Sequence, residues 1–301
     1  MTDKNFEVII IGGSYAGLSA AMALGRSLRK VLIIDSGNPC NKQTPHAHNF
    51  ITHDGETPAA IILKAKTQLA QYNTVQFHVG LAIEGTRNEN DYSITTEAGD
   101  TFHGTKLLFA TGVTDELPAI PGFAECWGIS VLHCPYCHGY EVKDQRMAVI
   151  ANGDIGFEFC KLISNLTKQL TLLTNGKSLL TEVQIKKIRE HDIELIEKEI
   201  HSIGHVNGYL NKVTFTDNSI VPLSAIFSRA AFRQHCHLPA KLGCAITDTG
   251  YIQIDDFHKT TIPGVFAAGD NITMFRSVAT AVAAGNKAGA VINKEFIDDH
   301  F

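Results

Sequence analysis

The chain has no long apolar run. Its longest hydrophobic stretches, such as Val8 to Ile11 and Val31 to Ile34, fall far short of the ~18 to 20 residues that span a bilayer, so no membrane segment is expected. It has no block of basic residues either. With 26 Lys and Arg against 31 Asp and Glu, the formal charge of -5 leaves no electrostatic footprint for nucleic acid or anionic lipid. It lacks the even, regularly spaced cysteines of a secreted disulfide scaffold: there are seven, scattered apart from one close pair. Met1 to Glu7 is polar and of mixed charge, unlike a secretion signal, and no low-complexity linker interrupts the chain. These absences point to a cytoplasmic protein whose partners are small molecules or other proteins.

What is present is a repeated nucleotide-binding pattern. With 301 residues and 44% hydrophobic content the chain can bury two ordinary cores. Glu7 to Leu28 reads as an apolar strand, a Gly-rich turn and an Ala/Leu-rich helix, followed by a second strand, Val31 to Asp35. A second copy begins at Met147, with strand Met147 to Ala151, turn Asn152-Gly153-Asp154, helix Ile155 to Leu166 and strand Gln169 to Thr174. Between Val75 and Ala110, alternating segments such as Gln76 to Val79 and Asp91 to Thr95 predict a small antiparallel meander. Near the C-terminus, Thr261 to Asp270 reads as a strand ending in Gly-Asp, before an Ala-rich helix from about Ser277 to Glu295. The predicted fold is α/β, with two Rossmann-like dinucleotide-binding domains of three-layer ββα type. The first is discontinuous, residues 1–113 and 233–301, and contains the meander; the second, 114–232, is inserted into it.

Gly12-Gly13-Ser14-Tyr15-Ala16-Gly17 fits G-x-G-x-x-G with Ser14 in the second glycine's place. Small residues let backbone approach a pyrophosphate, which sits on the helix N-terminus where free N–H groups and the dipole favour anions. Asp35 closes the second strand, where a carboxylate can accept both ribose hydroxyl protons. Ala110-Thr111-Gly112 and Gly264 to Asp270 are two further apolar strands ending in small residues. Asp270 is placed to bind a ribityl hydroxyl or to serve as an ordinary turn or cap residue, and the helix beginning at Ser277 and Val278 can aim its first N–H groups at an anionic flavin edge.

The close cysteine pair lies in Cys134-Pro135-Tyr136-Cys137-His138, just before the second nucleotide unit. Two intervening residues allow a closable disulfide and mutual lowering of thiol pKa. Three other readings stand beside a redox pair: C-x-x-C-H is also the c-type haem attachment pattern, His133, Cys134, Cys137 and His235-Cys236-His237 contain zinc-type ligands, and the pair can be purely structural.

The ordered set Gly12 to Gly17, Ala110-Thr111-Gly112, a C-x-x-C inside the second domain and Gly264 to Asp270 resembles the low-molecular-weight thioredoxin reductases and their thioredoxin-reductase-like relatives, over nearly the whole chain. The resemblance implies FAD as cofactor, a homodimer, no metal, and a thioredoxin-like protein or a small dithiol or disulfide as partner. It implies that Cys137 exchanges electrons with the flavin, that Cys134 forms the mixed disulfide with substrate, and that His138, standing where the classical reductases have Asp, handles protons. It further implies cofactor contacts from Gly12, Ser14, Tyr15, Ala16, Gly17, Asp35, Asn49, Thr111, Gly112, Gly269, Asp270, Ser277 and Val278, with His48 beside Asn49 along the flavin.

The second nucleotide site departs from that pattern. Its loop, Ala151-Asn152-Gly153-Asp154-Ile155-Gly156, has Ala for the first glycine. The segment after the next strand, Thr174-Asn175-Gly176-Lys177-Ser178, offers one Lys and no Arg for a 2′-phosphate, and no carboxylate that would select the NADH ribose. The exit strand Ile226 to Phe232 lacks glycine, and Arg229 and Arg233, in it and just after it, are either compensating phosphate ligands or ordinary surface arginines. These departures point to weak or absent NADPH binding, so NAD(P)H stays an open cofactor. Two directions follow, a reductase of protein disulfides and an oxidase of small dithiols using oxygen; a flavin-binding redox sensor without turnover is the alternative of another class. Among the remaining cysteines, Cys160 and Cys244 are expected in the core and Cys40 in a turn, and the aromatic end Phe296 to Phe301 is either a flavin cap or a frayed terminus.

Overall fold

The computed structural model describes residues 4–301. The chain enters β1 (Asn5–Ile11), whose run Val8 to Ile11 is buried on both faces, as a central parallel strand requires. α1 (Tyr15–Arg26) and β2 (Val31–Asp35) complete the first unit of strand, helix and strand, with Val8 opposite Val31 and Ile11 opposite Ile34 in parallel register. α2 (Pro58–Leu69) starts where the Thr57 hydroxyl accepts a hydrogen bond from the Ala60 amide and Pro58 fills the first helical position. β3 (Val75–Val79) then adds to β2 in parallel, while β4 (Ala82–Arg87), β5 (Tyr92–Thr96) and β6 (Thr101–Phe109) form an antiparallel meander. β6 returns parallel beside β1, so all six strands share one sheet in the order β3-β2-β1-β6-β5-β4. The meander expected from Val75 onward therefore begins only at Ala82. The alternation of residues 76–79 is that of a half-exposed outer strand, and period two alone carries no information about which partner the strand takes.

After β7 (Val113–Glu116) comes the second unit: α3 (Phe123–Cys126), β8 (Val131–Leu132), α4 (Pro135–His138), β9 (Met147–Ile150), α5 (Gly153–Ile163), β10 (Leu170–Leu173), α6 (Glu182–Glu190) and β11 (Glu194–Ile196). β12 (Ile200–Val206), β13 (Tyr209–Phe215) and β14 (Ile220–Pro222) make a three-stranded antiparallel sheet, and β15 (Ala225–Ser228) returns to pair with β9 and β8. The five strands β11-β10-β9-β15-β8 are all parallel, repeating the layout of the first unit on a smaller scale. α6 carries a full capping box, Thr181 and Gln184 satisfying each other's backbone amides. The chain then runs through β16 (Ala231–Gln234), which pairs with β7, followed by α7 (Leu238–Lys241), β17 (Val265–Ala267) beside β6, and the 23-residue α8 (Val278–His300).

Two compact units result. Of the described residues, one comprises 4–42, 50–114 and 232–301; the other comprises 115–231 together with the detached stretch Gln43–Asn49. In the first unit, α8 lies directly on α1. A side chain at Gly285 would run into the Ala16 backbone, and one at Gly289 would come within 2.7 Å of the Ala20 carbonyl oxygen, so only glycine permits this approach. Of the C-terminal aromatic residues, Phe296 belongs to the core, whereas Phe301, just past the end of α8, is fully exposed. Phe296 is 3% exposed within the α1/α8 core, with the Arg29 and Lys106 cations 4.8 and 4.9 Å from its ring centroid, and the helix continues to His300. Among the described residues no helix is long and apolar enough to cross a membrane.

Candidate functional site

The first unit holds a cleft of about 570 Å³ at the C-terminal ends of β1, β2 and β6. Its floor is the turn between β1 and α1. Gly12 has φ +106 and donates its amide to the Ile34 carbonyl at 2.9 Å, and any side chain there would strike the Ala110 carbonyl. Gly13 donates its amide to Asp35 Oδ1 at 3.1 Å, and an added Cβ would stand 2.8 Å from the Asp35 side chain. The turn is thus pinned against β2 and β6, and α1 begins immediately after it. Ser14 occupies the N-cap in an extended conformation without its side chain capping the helix, and the first turn carries no acidic residue. The first amides of α1 are therefore open to an anion.

Of the residues expected to contact a cofactor, Gly12, Ser14, Asp35 and Thr111 line this cleft, and Lys66 stands 3.7 Å from Asp35 on its wall. Thr111 Oγ1 is buried without a hydrogen-bond partner, an acceptor and donor waiting for a ligand. Ala16 and Gly17 are buried at the start of α1, where Gly269 approaches to within 3.0 Å of Ala16 by its hypothetical Cβ. Tyr15, whose phenol burial pushes upward, receives a hydrogen bond from Asn41. Gly112 has φ +63; Asp270 pairs with Arg276 at 3.4 Å; Ser277 caps α8 by accepting from the Thr280 amide at 3.1 Å, with Val278 as the first helical residue. Asn49, with φ +58, groups with the other unit. A glycine turn, an uncapped helix start, a strand-end carboxylate and an orphaned hydroxyl together fit the pyrophosphate and ribose of a dinucleotide such as FAD.

The same cleft is lined by His235, Cys236 and His237, which the sequence offers only as distant zinc-type ligands. Among the described residues no cluster of three or more His, Cys, Asp or Glu side chains is arranged to hold a metal. His235 Nδ1 instead meets Thr114 Oγ1 at 2.8 Å, and burial, then the nearby Arg233, lowers its pKa. Burial raises the Cys236 thiol. These residues lie just after β16, in the connecting segment before α7.

In the second unit, Cys134 and Cys137 are joined as a disulfide with a Cα separation of 5.3 Å. Cys134 is the N-cap of α4, and its sulfur accepts from the Cys137 amide at 3.2 Å. Pro135 at the first helical position pre-sets the turn that brings the two cysteines together. Both cysteines are half-buried, whereas Tyr136 and Tyr140 on either side of Cys137 are 63% and 71% exposed. His138 follows directly. Burial lowers its pKa below the ordinary imidazole value, the neighbouring His48 lowers it further, and Glu141 opposes both. The remaining thiols contrast with this pair: Cys160 is buried and its pKa is pushed up to about 12, Cys244 is buried and raised, and Cys40 is exposed.

The second nucleotide loop is occupied by its own side chain. Asn152 caps α5, and its Oδ1 accepts from the Gly153 amide at 2.8 Å and from the Leu179 amide at 2.7 Å. Its Nδ2 donates to the Lys177 carbonyl at 2.9 Å and the Thr174 carbonyl at 3.3 Å. The loop after β10 is fixed further by the Ser178 amide on Glu197, at 2.7 Å, and the Ile200 amide on Asn175 Oδ1, also at 2.7 Å. Asp154 adds a carboxylate to the first turn of α5. A helix start with a filled cap, a covering loop and a negative first turn is a poor anion site.

The comparisons with known proteins agree with the two-unit fold. Residues 6–286 match the profile of the pyridine nucleotide-disulphide oxidoreductase family. The chain is 32% identical to the thioredoxin reductase sirT of Leptosphaeria maculans, over 96% of this chain and 93% of that protein. It is 30% identical to the thioredoxin reductase tcpT of Claviceps purpurea, over 99% and 96%. Its fold superposes on the crystal structure of the putative thioredoxin reductase TrxB from Bacillus anthracis with TM-score 0.94 and 29% identity, covering 98% and 100% of the two chains. The chain belongs to the pyridine nucleotide-disulphide oxidoreductase family and is a thioredoxin-reductase-like, FAD-dependent flavoprotein disulfide oxidoreductase.

Proposed function

We propose that the enzyme oxidises dithiols through the Cys134–Cys137 disulfide, taking its electrons from thiol substrates and not from NADPH. The observation that carries this reading is the self-occupied second loop, where Asn152 spends both ends of its amide on the α5 start and on residues 174–179. Asn152 makes four hydrogen bonds there, and within residues 174–178 Lys177 alone is offered to a 2′-phosphate, without the bidentate fork an Arg supplies.

In this reading Gly12, Gly13, Ser14, Asp35 and Thr111 hold FAD in the first-unit cleft. FAD supplies the two-electron acceptor that returns the cysteine pair to its disulfide, with oxygen as terminal acceptor. The thiol steps belong to the chain's own residues. A substrate thiolate attacks the Cys134 sulfur, forming a mixed disulfide and releasing Cys137 as thiolate; the second substrate thiol then attacks the mixed disulfide, leaving oxidised substrate and a reduced Cys134/Cys137 pair. Two electrons and two protons pass from substrate to enzyme. His138, uncharged near neutrality, takes the proton of the attacking thiol. The exposed rings of Tyr136 and Tyr140 border the pair and offer an apolar edge to a small substrate. The names of the relatives keep a thioredoxin-like protein as the competing partner, for which the same exchange runs in reverse.

Anaerobic mixing of the purified holoenzyme with dithiothreitol, NADPH and NADH in turn, followed by flavin absorbance, tests the proposal. Dithiothreitol is expected to bleach the flavin, and the Cys137→Ser variant to retain FAD without bleaching. Fast bleaching by NADPH with a micromolar dissociation constant overturns it.

A further inference from the structure

The residues that α2 turns toward the first-unit cleft, Ala59, Ile62, Leu63 and Lys66, follow the spacing i, i+3, i+4, i+7 and so share one helix face. Three are apolar, and the last, in the final turn of the helix, is a cation. Leu81 and Ile83, both exposed, line the same cleft from the start of β4. An apolar stripe thus ends at one charged pair. Lys66 Nζ lies 3.7 Å from Asp35 Oδ2, whereas Asp35 Oδ1 accepts the Gly13 amide at 3.1 Å. The two carboxylate oxygens therefore face different partners. Oδ1 is spent on the turn before α1, and Oδ2, beyond direct hydrogen-bond reach of the ammonium, keeps its lone pairs for a ligand. The Phe77 ring centroid is 5.9 Å from the same ammonium, at the outer limit of a cation–π contact, so Asp35 is its closer partner.

We propose that Lys66 is a ribose-binding residue of the FAD site, paired with Asp35 so that the two offer a donor and an acceptor side by side to a vicinal diol. A ribose hydroxyl donates and accepts at once. A carboxylate only accepts, and so satisfies the hydroxyl proton but leaves the hydroxyl oxygen in need of a donor; an ammonium brings three N–H donors and no acceptor. Beside an apolar wall an unmet oxygen is costly, and the cation next to Oδ2 removes that cost. The inference rests on the FAD reading of this cleft and extends it from the carboxylate to the residue that completes it. Asp35 closes a strand and is expected from the nucleotide-binding pattern. Lys66 comes from a helix 31 positions later, outside that pattern, and only the fold brings the two together.

The test displaces FAD from the holoenzyme with ADP and with its 2′-deoxy and 3′-deoxy forms, followed by flavin fluorescence. These competitors differ by single ribose hydroxyls. Against the wild type, ADP should displace FAD at a concentration about 5-fold below that of the weaker deoxy form, as one hydrogen-bonded hydroxyl warrants. Lys66→Met keeps the stem and loses the ammonium; it should hold FAD about 5-fold less tightly and show a preference for ADP of only about 2-fold. Lys66→Arg retains a donor and should keep most of both. Flavin content and thermal transitions verify that each variant is folded. An unchanged preference in Lys66→Met overturns the proposal, even where FAD itself is held less tightly. An equal change in Lys241→Met, which removes another cation from the same cleft, marks a general charge effect and overturns it as well. Asp35→Ala separates the two claims. Unaltered FAD affinity in that variant overturns the FAD reading of the cleft and this inference with it, whereas weakened FAD there with no change in Lys66→Met overturns the inference alone.

Discussion

Replacing Asn152 by Ala should loosen one defined part of the second unit. The side chain supplies the N-cap of α5, a loss that typically costs about 1 kcal/mol. It also accepts from the Leu179 amide at 2.7 Å and donates to the carbonyls of Lys177 and Thr174, all in partly exposed surroundings. At about 0.5 kcal/mol each for the stronger two, the sum is roughly 2 kcal/mol. That corresponds to about 30-fold faster opening of the covering loop, since every 1.36 kcal/mol is a factor of ten. Hydrogen exchange read at single residues measures it directly: the Gly153 and Leu179 amides, both bonded to Asn152 Oδ1, should exchange about 30-fold faster. Amides in the β1/β2 region should not change. Asn152→Asp keeps the two accepted bonds and loses the two donated ones, and should fall between. Unaltered exchange at Leu179 in the Ala variant would refute the claim that this residue closes the second site.

Three further outcomes follow from packing and charge. Gly285→Ala places a methyl group on the Ala16 backbone; overpacking of about 1 to 3 kcal/mol, offset by up to ~1 kcal/mol of helix propensity, should lower the melting temperature and loosen FAD retention together, read by flavin fluorescence on heating. Lys106 is 8% exposed between Glu295, at 2.7 Å, and Asp299, at 3.3 Å, while Glu295 also reaches Lys259 at 2.6 Å. Removing the shared carboxylate by Glu295→Leu should therefore cost about 2 to 3 kcal/mol in urea unfolding, more than Lys106→Met, which leaves Glu295 paired. Burial works against the Glu295 charge, but hydrogen bonds from Lys106 and Lys259 hold its pKa below the ordinary value, so its contribution is present above that value and lost as pH falls through the lowered one. His258 is 8% exposed, with Nδ1 donating to the Ala267 carbonyl at 3.1 Å, and burial lowers its pKa. The unfolded chain therefore binds a proton first, and stability should decline as pH drops below about 6.5. His258→Asn, suited to the φ of +64 there, should flatten that decline in urea midpoints taken between pH 5 and 7.5.

Local pattern carried most of the fold. Val8 to Ile11 and Val31 to Ile34 are short apolar runs because central parallel strands are covered on both faces, and Gly12 to Gly17 lies between them because the turn has no room for side chains. What the pattern left out depends on partners distant in the chain. Residues 76–79 alternate as a meander strand would, yet β3 pairs with β2, and nothing within five residues encodes that choice. Phe296 looked like a loose aromatic end, but its ring fills a gap between Arg29 and Lys106, two cations supplied by residues 190 or more positions earlier. At the site, the cysteine pair and Asp35 were legible because their spacing is local chemistry. His48 was expected along the flavin and His235 to His237 as zinc-type ligands, but their observed neighbours were not legible, since each reaches them only after the chain has crossed from one unit to the other.

The two nucleotide-type units start from the same arrangement of strand, turn and helix, and the difference between them lies in who satisfies the helix start. In the first, Ser14 leaves the α1 amides uncapped, Gly13 is tied to Asp35, and Thr111 Oγ1 stays buried without a partner. In the second, Asn152 caps α5 and ties down the loop that follows β10. Orphaned backbone groups at a helix N-terminus require a partner, and a chain that provides its own removes the reason for a ligand to bind there. An intact second sheet with a self-capped helix keeps its value as a rigid mount: β8 leads directly into Cys134, and α4 holds Cys137 and His138 in one turn. On the dithiol reading proposed above, the role of the second unit is to present the disulfide. Substitutions that reopen its nucleotide loop should then change loop mobility, as in Asn152→Ala, long before they create a pyridine nucleotide site, because residues 174–178 offer a single Lys and no Arg to grip a 2′-phosphate.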